Sequence, residues 1–452
     1  MGSPFHAYDV RGLYPSEIDE DLAWKFGRAF MDIFDPPTVV VGHDMRPSSG
    51  PLHEALITSL KSLGARIIDL GLISTDMMYI AVLKLQADAG LMITASHNPA
   101  RYNGIKTVLK NAVPLGLGYG LEKIKDTVEK DRSHCSCSFS GTINKLNFMD
   151  EFVETVFDLA SMPTEMPHRK IAIDAGNGMG GLVLPGLIER LDIETKNLYF
   201  EPDGTFPNHE ANPMLEENRK ELQETVLADG SDFGFAPDGD FDRGFFIDNH
   251  GRFINGDIIL GFLSELELRE KPKSIIAMDV RCSRWVSERI RQFGGTPMMV
   301  KVGHAHAKRS MAQAGAVFGG EVSGHYYYQG LGGYFDSGSL VFLKFLKLLA
   351  KKDMQVSEIL DLSSEYHLSG EINISVGQTD VVMEHILQKF GNEKKVIKID
   401  GIRIEDEDYW FSLRASNTEP LMRINVEAST ESKMCEIRDL LIAEIQRFQD
   451  AD

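Results

Sequence analysis

Short β-branched apolar runs followed by helix-length segments recur three times along this chain, and that rhythm constrains its fold more than any other feature. Residues 38–41 (TVVV) read as a buried strand, 51–63 as a helix, 66–70 as a strand, 75–85 as a helix and 90–94 (GLMIT) as a strand. Strand–helix–strand order implies a mostly parallel sheet covered by helices. A polar stretch at 130–141 reads as a linker. The rhythm restarts at 170–174 (KIAID), with a glycine-rich turn at 175–181, a helix to about Leu191, a strand near 197–200, a helix over 214–227 and a strand at 233–236. A third unit begins near Phe253, with a helix at 257–268, strands at 274–280 and 297–302, and a helix at 339–351. The end differs: strand-like runs at 371–376, 396–399, 409–414 and 421–428 are accompanied by helices at 380–390 and 431–449. In the last helix Met434, Ile437, Leu441, Ile445 and Phe448 share one face, the spacing of core packing. The expectation is three α/β domains and a smaller α+β domain, over residues 1–140, 141–248, 249–365 and 366–452.

The 452 residues are enough for several domains, and a hydrophobic fraction of 43% supports real cores. No apolar run approaches the ~18–20 residues of a membrane span. No basic segment followed by an apolar stretch opens the chain, so no secretory leader is expected. The cysteines at 135, 137, 282 and 435 read as reduced thiols of a cytoplasmic protein, because one C-x-C without a second pair is a poor zinc signal. A formal charge of −20 argues against a nucleic-acid partner. It also means that an anionic substrate would need a local cluster of basic side chains.

Four loops carry the chemical signals. Ser96, in Thr94-Ala95-Ser96-His97-Asn98-Pro99, follows the strand GLMIT, at the strand end where α/β sheets bind ligands. Ser96 is a plausible phosphoryl carrier there, although the same residues also read as a polar turn. Asp238, Asp240 and Asp242 alternate in DGDFDR. Three carboxylates in five residues repel one another without a cation, and oxygen ligands suit Mg²⁺. Arg243 at the sixth position and Asn249 at the twelfth argue against an EF-hand. Glu321 and Ser323 in GGEVSGH could hold sugar hydroxyls, or form a plain turn. Arg414, Ser416, Asn417 and Thr418 in RASNTEP, with Arg423 beyond, could cradle a phosphate, or form a hairpin loop. Arg11, Lys106 and His304 stand near other turns.

Together and in this order the loops resemble those of the α-D-phosphohexomutases, closest to the phosphomannomutase/phosphoglucomutase group. TASHNP is similar to that family's phosphoserine loop, DGDFDR to its metal loop, GEVSGH to its sugar loop and RASNTEP to its phosphate loop. AYDVRG, NGIK, DAGNGMGG and EPDGTFPNH match further landmarks. The resemblance implies four domains with mixed sheets around a central cleft, one motif from each. It implies reversible phosphoryl transfer between O1 and O6 of mannose and probably glucose phosphates, through phosphorylated Ser96 and a hexose 1,6-bisphosphate. Mg²⁺ would be held by Ser96, Asp238, Asp240 and Asp242. Arg11, Lys106, Arg243 and His325 would surround the transfer. Tyr8, Arg281, His304, Glu321, Ser323, Arg414, Ser416, Asn417, Thr418 and Arg423 would bind substrate. The partners implied are small hexose phosphates, with no membrane and a monomer or homodimer as the acting unit. Two positions depart from the family pattern: His43 stands where an Arg is usual, and Arg281 where a Lys often stands. Competing readings are a phosphoglucosamine mutase, a Mg²⁺-dependent sugar phosphatase using an Asp, and a sugar-phosphate-binding protein without catalysis.

Overall fold

The computed structural model describes residues 3–130, 140–352, 354–363, 365–415 and 421–448. The first sheet has the order Val10–Leu13, Tyr102–Leu109, Ala89–Ile93, Thr38–His43, Arg66–Leu72, Thr142–Lys145. The second runs Phe253–Ile254, Gly244–Asp248, Phe233–Pro237, Arg169–Asp174, Ile193–Leu198. The third runs Thr296–Val300, Ile275–Asp279, Phe318–Gly320, Tyr326–Gly330, Gly333–Asp336. Thr142–Lys145 thus edges the first sheet and Phe253–Ile254 the second, each a few residues past the divisions expected at 140 and 248.

All three sheets share one design. Three parallel strands are connected through helices, and the third then turns back into an antiparallel partner. The sheets are therefore mixed, as the family resemblance implies, rather than mostly parallel, as the strand–helix rhythm alone suggests. The reason is loop length: 94–101, 238–243 and 321–325 are shorter than the dozen or so residues a parallel crossover needs, so the next strand must return as a hairpin. The fourth sheet is antiparallel throughout, with Leu421–Ala428 and Tyr409–Ala415 at its centre. Its hairpin sets Arg414 directly opposite Arg423.

The helix Thr75–Lys84 is buried from Thr75 to Leu83 and apolar on every side from Met77 to Leu83, while its first two residues, Thr75 and Asp76, are buried with hydrogen-bond partners. It belongs to a single hydrophobic cluster that runs through the first three units, from Val40 and Met77 through Phe152 and Phe235 to Ile259 and Phe342. The fourth unit has a separate core around Phe411, Ile424 and Leu441. Polar contacts join it to the third unit. Arg403 stacks on Trp410 at 3.6 Å and donates to the carbonyls of Val280 and Cys282, and the Arg284 side chain donates to those of Asp406, Glu407 and Tyr409.

One expected helix is shorter than its pattern. Residues 214–219 form turns and the helix starts at Lys220, because Asn218 and Arg219 bond back to the carbonyls of Asn212, Pro213 and Met214. Cys282 and Cys435 are free thiols; Cys135 and Cys137 lie outside the described residues. Among the described residues no helix is long and apolar enough to cross a membrane.

Candidate active site

Each of the three equivalent hairpin loops delivers one chemical group. Ser96 sits on the first loop with φ +51°, in the left-handed region that side chains other than glycine seldom adopt. Its buried Oγ donates to Asp238 Oδ2 of the second loop at 2.8 Å. The loops touch so closely that a Cβ on Gly239 would meet the Ser96 carbonyl oxygen at 2.5 Å. Arg46 holds the serine loop in this conformation. Its fully buried guanidinium donates to the carbonyls of Ser96, Asn98, Pro99 and Tyr102 at 2.6–3.1 Å, and Asp44 balances it at 3.2 Å. His97 Nδ1 lies 3.2 Å from Ser96 Oγ, although adjacency in sequence gives no reason to expect it to face the serine. Burial, then the nearby Arg243 and Arg11, push its pKa well below the ordinary imidazole value, so the ring is neutral.

Asp238, Asp240 and Asp242 each bring a carboxylate oxygen to within 4.8 Å of the others, all buried. Burial and then Asp242 and Asp240 drive the Asp238 pKa well up, the response of an acid crowded by like charge. Asp240 Oδ1 and Asp242 Oδ1 are buried and accept no hydrogen bond. Convergent carboxylates with orphaned oxygens fit a hard divalent cation such as Mg²⁺. The other oxygens of Asp240 and Asp242 accept from Lys106 Nζ at 2.7 and 2.5 Å, and Thr75 Oγ1 also donates to Asp240. Burial favours loss of the Lys106 proton, but Asp240 and Asp242 outweigh it and hold the pKa above the ordinary lysine value. Arg243 Nε lies 3.4 Å from Asp238, and Arg11 donates to Asp9 and to Asn98.

The third loop carries Glu321, Ser323 and His325. Ser323 donates to Glu321, whose other oxygen accepts from Gly303 N and Tyr327 Oη. His325 Nδ1 lies 2.9 Å from Asp336 Oδ2 without the alignment of a hydrogen bond. Asp242, His325 and Asp336 form a second close group, but there Lys308 Nζ supplies the positive charge, 2.7 Å from Asp336. Tyr8 of the first unit crosses to the third, donating to the Val302 carbonyl at 2.9 Å and packing edge-on to His304. Burial, then Glu321 and Asp400, raise its pKa to about 12, so it stays a neutral donor. Gly303 has φ +113°, and a Cβ there would strike the Tyr8 ring at 2.4 Å. The His304 pKa is pushed well below the ordinary value, by burial first and then by Lys308.

Arg281 forks onto Asp279, and Arg414 and Arg423 meet on Glu371. Ser416, Asn417 and Thr418 lie outside the described residues. The local basic cluster expected from the net charge is present, but its members are already matched. Arg11, Lys106, Arg243, Arg281, Arg414 and Arg423 each have a carboxylate within 4 Å. His43, at the family's Arg position, bonds to the Asp44 carbonyl and packs against His53.

Sequence reasoning missed Arg46, Asp336 and Glu371 as parts of the site. Arg46 had a signal, since it follows the strand 38–41 at its carboxyl end, where ligand loops lie. Asp336 and Glu371 stand in ordinary strand-like sequence and carry none.

Four hairpins, each bringing charged or hydroxyl groups from its own sheet to a shared site, make the layout of a multidomain phosphoryl-transfer enzyme acting on small molecules. Comparison with known sequences makes the class specific: the chain belongs to the phosphoglucomutase/phosphomannomutase family. That family's alpha/beta/alpha domains I, II and III match residues 2–134, 147–251 and 255–366, and its C-terminal domain matches 371–444. A relative from Xanthomonas campestris pv. campestris (strain B100), described as phosphohexose mutases, is 36% identical over 98% of this chain and 99% of its own. The phosphomannomutase of Escherichia coli K12 is also 36% identical, over 96% of each chain. A phosphoglucomutase/phosphomannomutase family protein from Burkholderia thailandensis superposes with a TM-score of 0.89 at 29% identity, over 99% of this chain and 98% of that one.

Proposed function

We propose that Ser96 carries the phosphoryl group in this phosphohexomutase, as the group moves between O1 and O6 of mannose and glucose phosphates. The observation that carries the reading is the Ser96 Oγ against Asp238 Oδ2, beside Asp240 and Asp242, each of which keeps one unpaired buried oxygen. Mg²⁺ held by Asp238, Asp240, Asp242 and Ser96 would draw charge from the phosphoryl oxygens and ease departure of the serine. Lys106, firmly protonated, and Arg243 steady the charge that develops on the transferring group. Arg11, joined to Asn98, braces the serine loop. His325, with Nδ1 turned to Asp336, keeps Nε2 for proton exchange with the attacking or leaving hydroxyl.

At the far end Arg414 and Arg423, with Ser416, Asn417 and Thr418, take the phosphate that is not being transferred. Glu321 and Ser323 hold sugar hydroxyls, and Tyr8, Arg281 and His304 line the same space. Attack by the free hydroxyl on the phosphoserine yields a 1,6-bisphosphate. That intermediate turns end for end and returns its other phosphate to Ser96; added hexose 1,6-bisphosphate would prime the cycle. All four sheets contribute from one chain, which suits a monomer or a homodimer acting on cytoplasmic hexose phosphates.

The test is a phosphorus NMR time course of glucose 1-phosphate and mannose 1-phosphate with Mg²⁺ and a trace of hexose 1,6-bisphosphate. Conversion to the 6-phosphates is expected, and Ser96→Ala should slow it by at least about 10⁴-fold. Free phosphate as the main product, or full activity in Ser96→Ala, would overturn the reading.

A further inference from the structure

Glu371 stands where the chain passes from the third unit into the fourth, between Gly370 with φ +70° and the strand Ile372–Ser375. That strand pairs with Leu421–Ala428, with Asn373 opposite Arg423. The register therefore brings the Glu371 carboxylate beneath the hairpin on which Arg414 and Arg423 face each other. Its Oε2 accepts from Arg414 at 2.9 Å and its Oε1 from Arg423 at 3.4 Å. Arg281, arriving from the third unit, places a guanidinium nitrogen 3.9 Å from Oε2. Arg414 has a second acid, Asp400, at 3.3 Å.

Three guanidiniums from two units thus converge on one carboxylate. Only Arg414 sits at full hydrogen-bond length; Arg423 is held loosely at 3.4 Å, and Arg281 keeps its fork on Asp279, so the carboxylate does not hold all three closely. A phosphate offers more oxygens and a larger charge to the same three forks. We infer that Glu371 is the resident counter-anion of the phosphate cradle, and that it sets the affinity of the site by competing with substrate phosphate for Arg414, Arg423 and Arg281. The inference rests on the reading of these arginines as the phosphate cradle.

The chemistry gives the competition a purpose. A bisphosphate that must turn end for end has to leave the cradle in every cycle. Uncompensated arginines would hold it too firmly, whereas a carboxylate within reach gives them a partner to return to. Affinity for phosphate is then the difference between two ion-pair sets, and removing the internal acid should strengthen binding instead of weakening it.

The experiment is calorimetric titration of inorganic phosphate into the full-length protein in metal-free buffer, for wild type, Glu371→Gln, Glu371→Asp and Arg414→Gln, with a thermal melt of each. Glu371→Gln keeps the size and one acceptor of the side chain. It is expected to bind phosphate about tenfold more tightly, to lower KM for hexose 1-phosphate, and to lower kcat as release slows. Glu371→Asp, which withdraws the carboxylate by one methylene, should fall between wild type and Glu371→Gln. Unchanged or weaker phosphate binding in a folded Glu371→Gln would overturn the inference and make Glu371 a scaffold for the arginines. Arg414→Gln separates the two levels. If it loses phosphate affinity while Glu371→Gln gains none, the cradle stands and the competition falls; if it binds phosphate as wild type does, both fall.

Discussion

Around Ser96 the carboxylates and the lysine are almost wholly enclosed: the side chains of Asp238, Asp240 and Asp242 are 1%, 0% and 0% exposed and that of Lys106 is 5%, with the two arginines, Arg243 and Arg11, at the rim. Around Glu371 only Arg414 is buried: the side chain of Glu371 is 28% exposed and that of Arg423 34%. The first cluster lies among three units that share one apolar cluster, so its loops are fixed by continuous packing. The second lies where the fourth unit, with its own core, meets the third through polar contacts. Burial makes each interaction in the first cluster strong and its geometry fixed before substrate arrives, which suits bond making and breaking. Water and neighbouring acids weaken each interaction in the second, which suits a group that must be seized and released. On the proposed reading, one end serves the transition state and the other exchange.

Asp240→Asn should break that comparison most visibly if the comparison is wrong. It removes charge from the enclosed end, and kcat is expected to fall by about 10²–10³-fold with KM changed by less than about threefold. Titration of Mn²⁺ or Mg²⁺ into the same variant should show weakened metal binding. Arg423→Gln should give the opposite split, with KM raised about tenfold and kcat within about threefold of wild type. Equal losses of kcat in both variants would mean that the two ends are not divided in this way.

The smallest effect concerns stability. Asp76, fully buried, joins the first unit to the third by accepting from Ser74, Ser337 and the Ser339 amide. Burial raises its pKa to about 6, above the 3.8 of an ordinary aspartate. A raised folded pKa means that the folded state holds the proton more tightly. The stabilisation from Asp76 is thus complete below about pH 4 and is lost as pH rises through 6. Asp76→Asn should therefore gain stability relative to wild type on going from pH 4 to pH 8, by at most about 3 kcal/mol, read from denaturant melts at the two pH values. Asp257, likewise held near 6, should leave part of the slope in place. A variant whose difference from wild type does not change with pH would show that Asp76 is ionised alike in both states.

Much of this was legible along the chain. Apolar runs located most parallel strands of the first three units to within a few residues, because a strand buried on both faces must be continuously hydrophobic; the parallel strands Thr142–Lys145, which is exposed, and Phe318–Gly320, which is only three residues long, were not among them. Motifs placed Ser96, the three aspartates and Glu321 on loops, because Gly, Pro, Asp and Asn disrupt regular elements. Much less legible were the returning antiparallel strands Tyr102–Leu109, Gly244–Asp248 and Tyr326–Gly330, and the helix His304–Ala314 that begins at a predicted site residue.

What the sequence by itself determined is the set of reactive groups and the local conformations that display them, since those follow from neighbouring residues. Tertiary structure alone decided their partners. Arg46 reaches the carbonyls of the Ser96 loop across fifty residues, Lys106 reaches Asp240 and Asp242 from another sheet, and Asp336 reaches His325 from the next strand. Glu371 meets three arginines only because a strand register and the contact between two units bring them together. A charge acts through distance and burial, and neither is a property of its position in the chain.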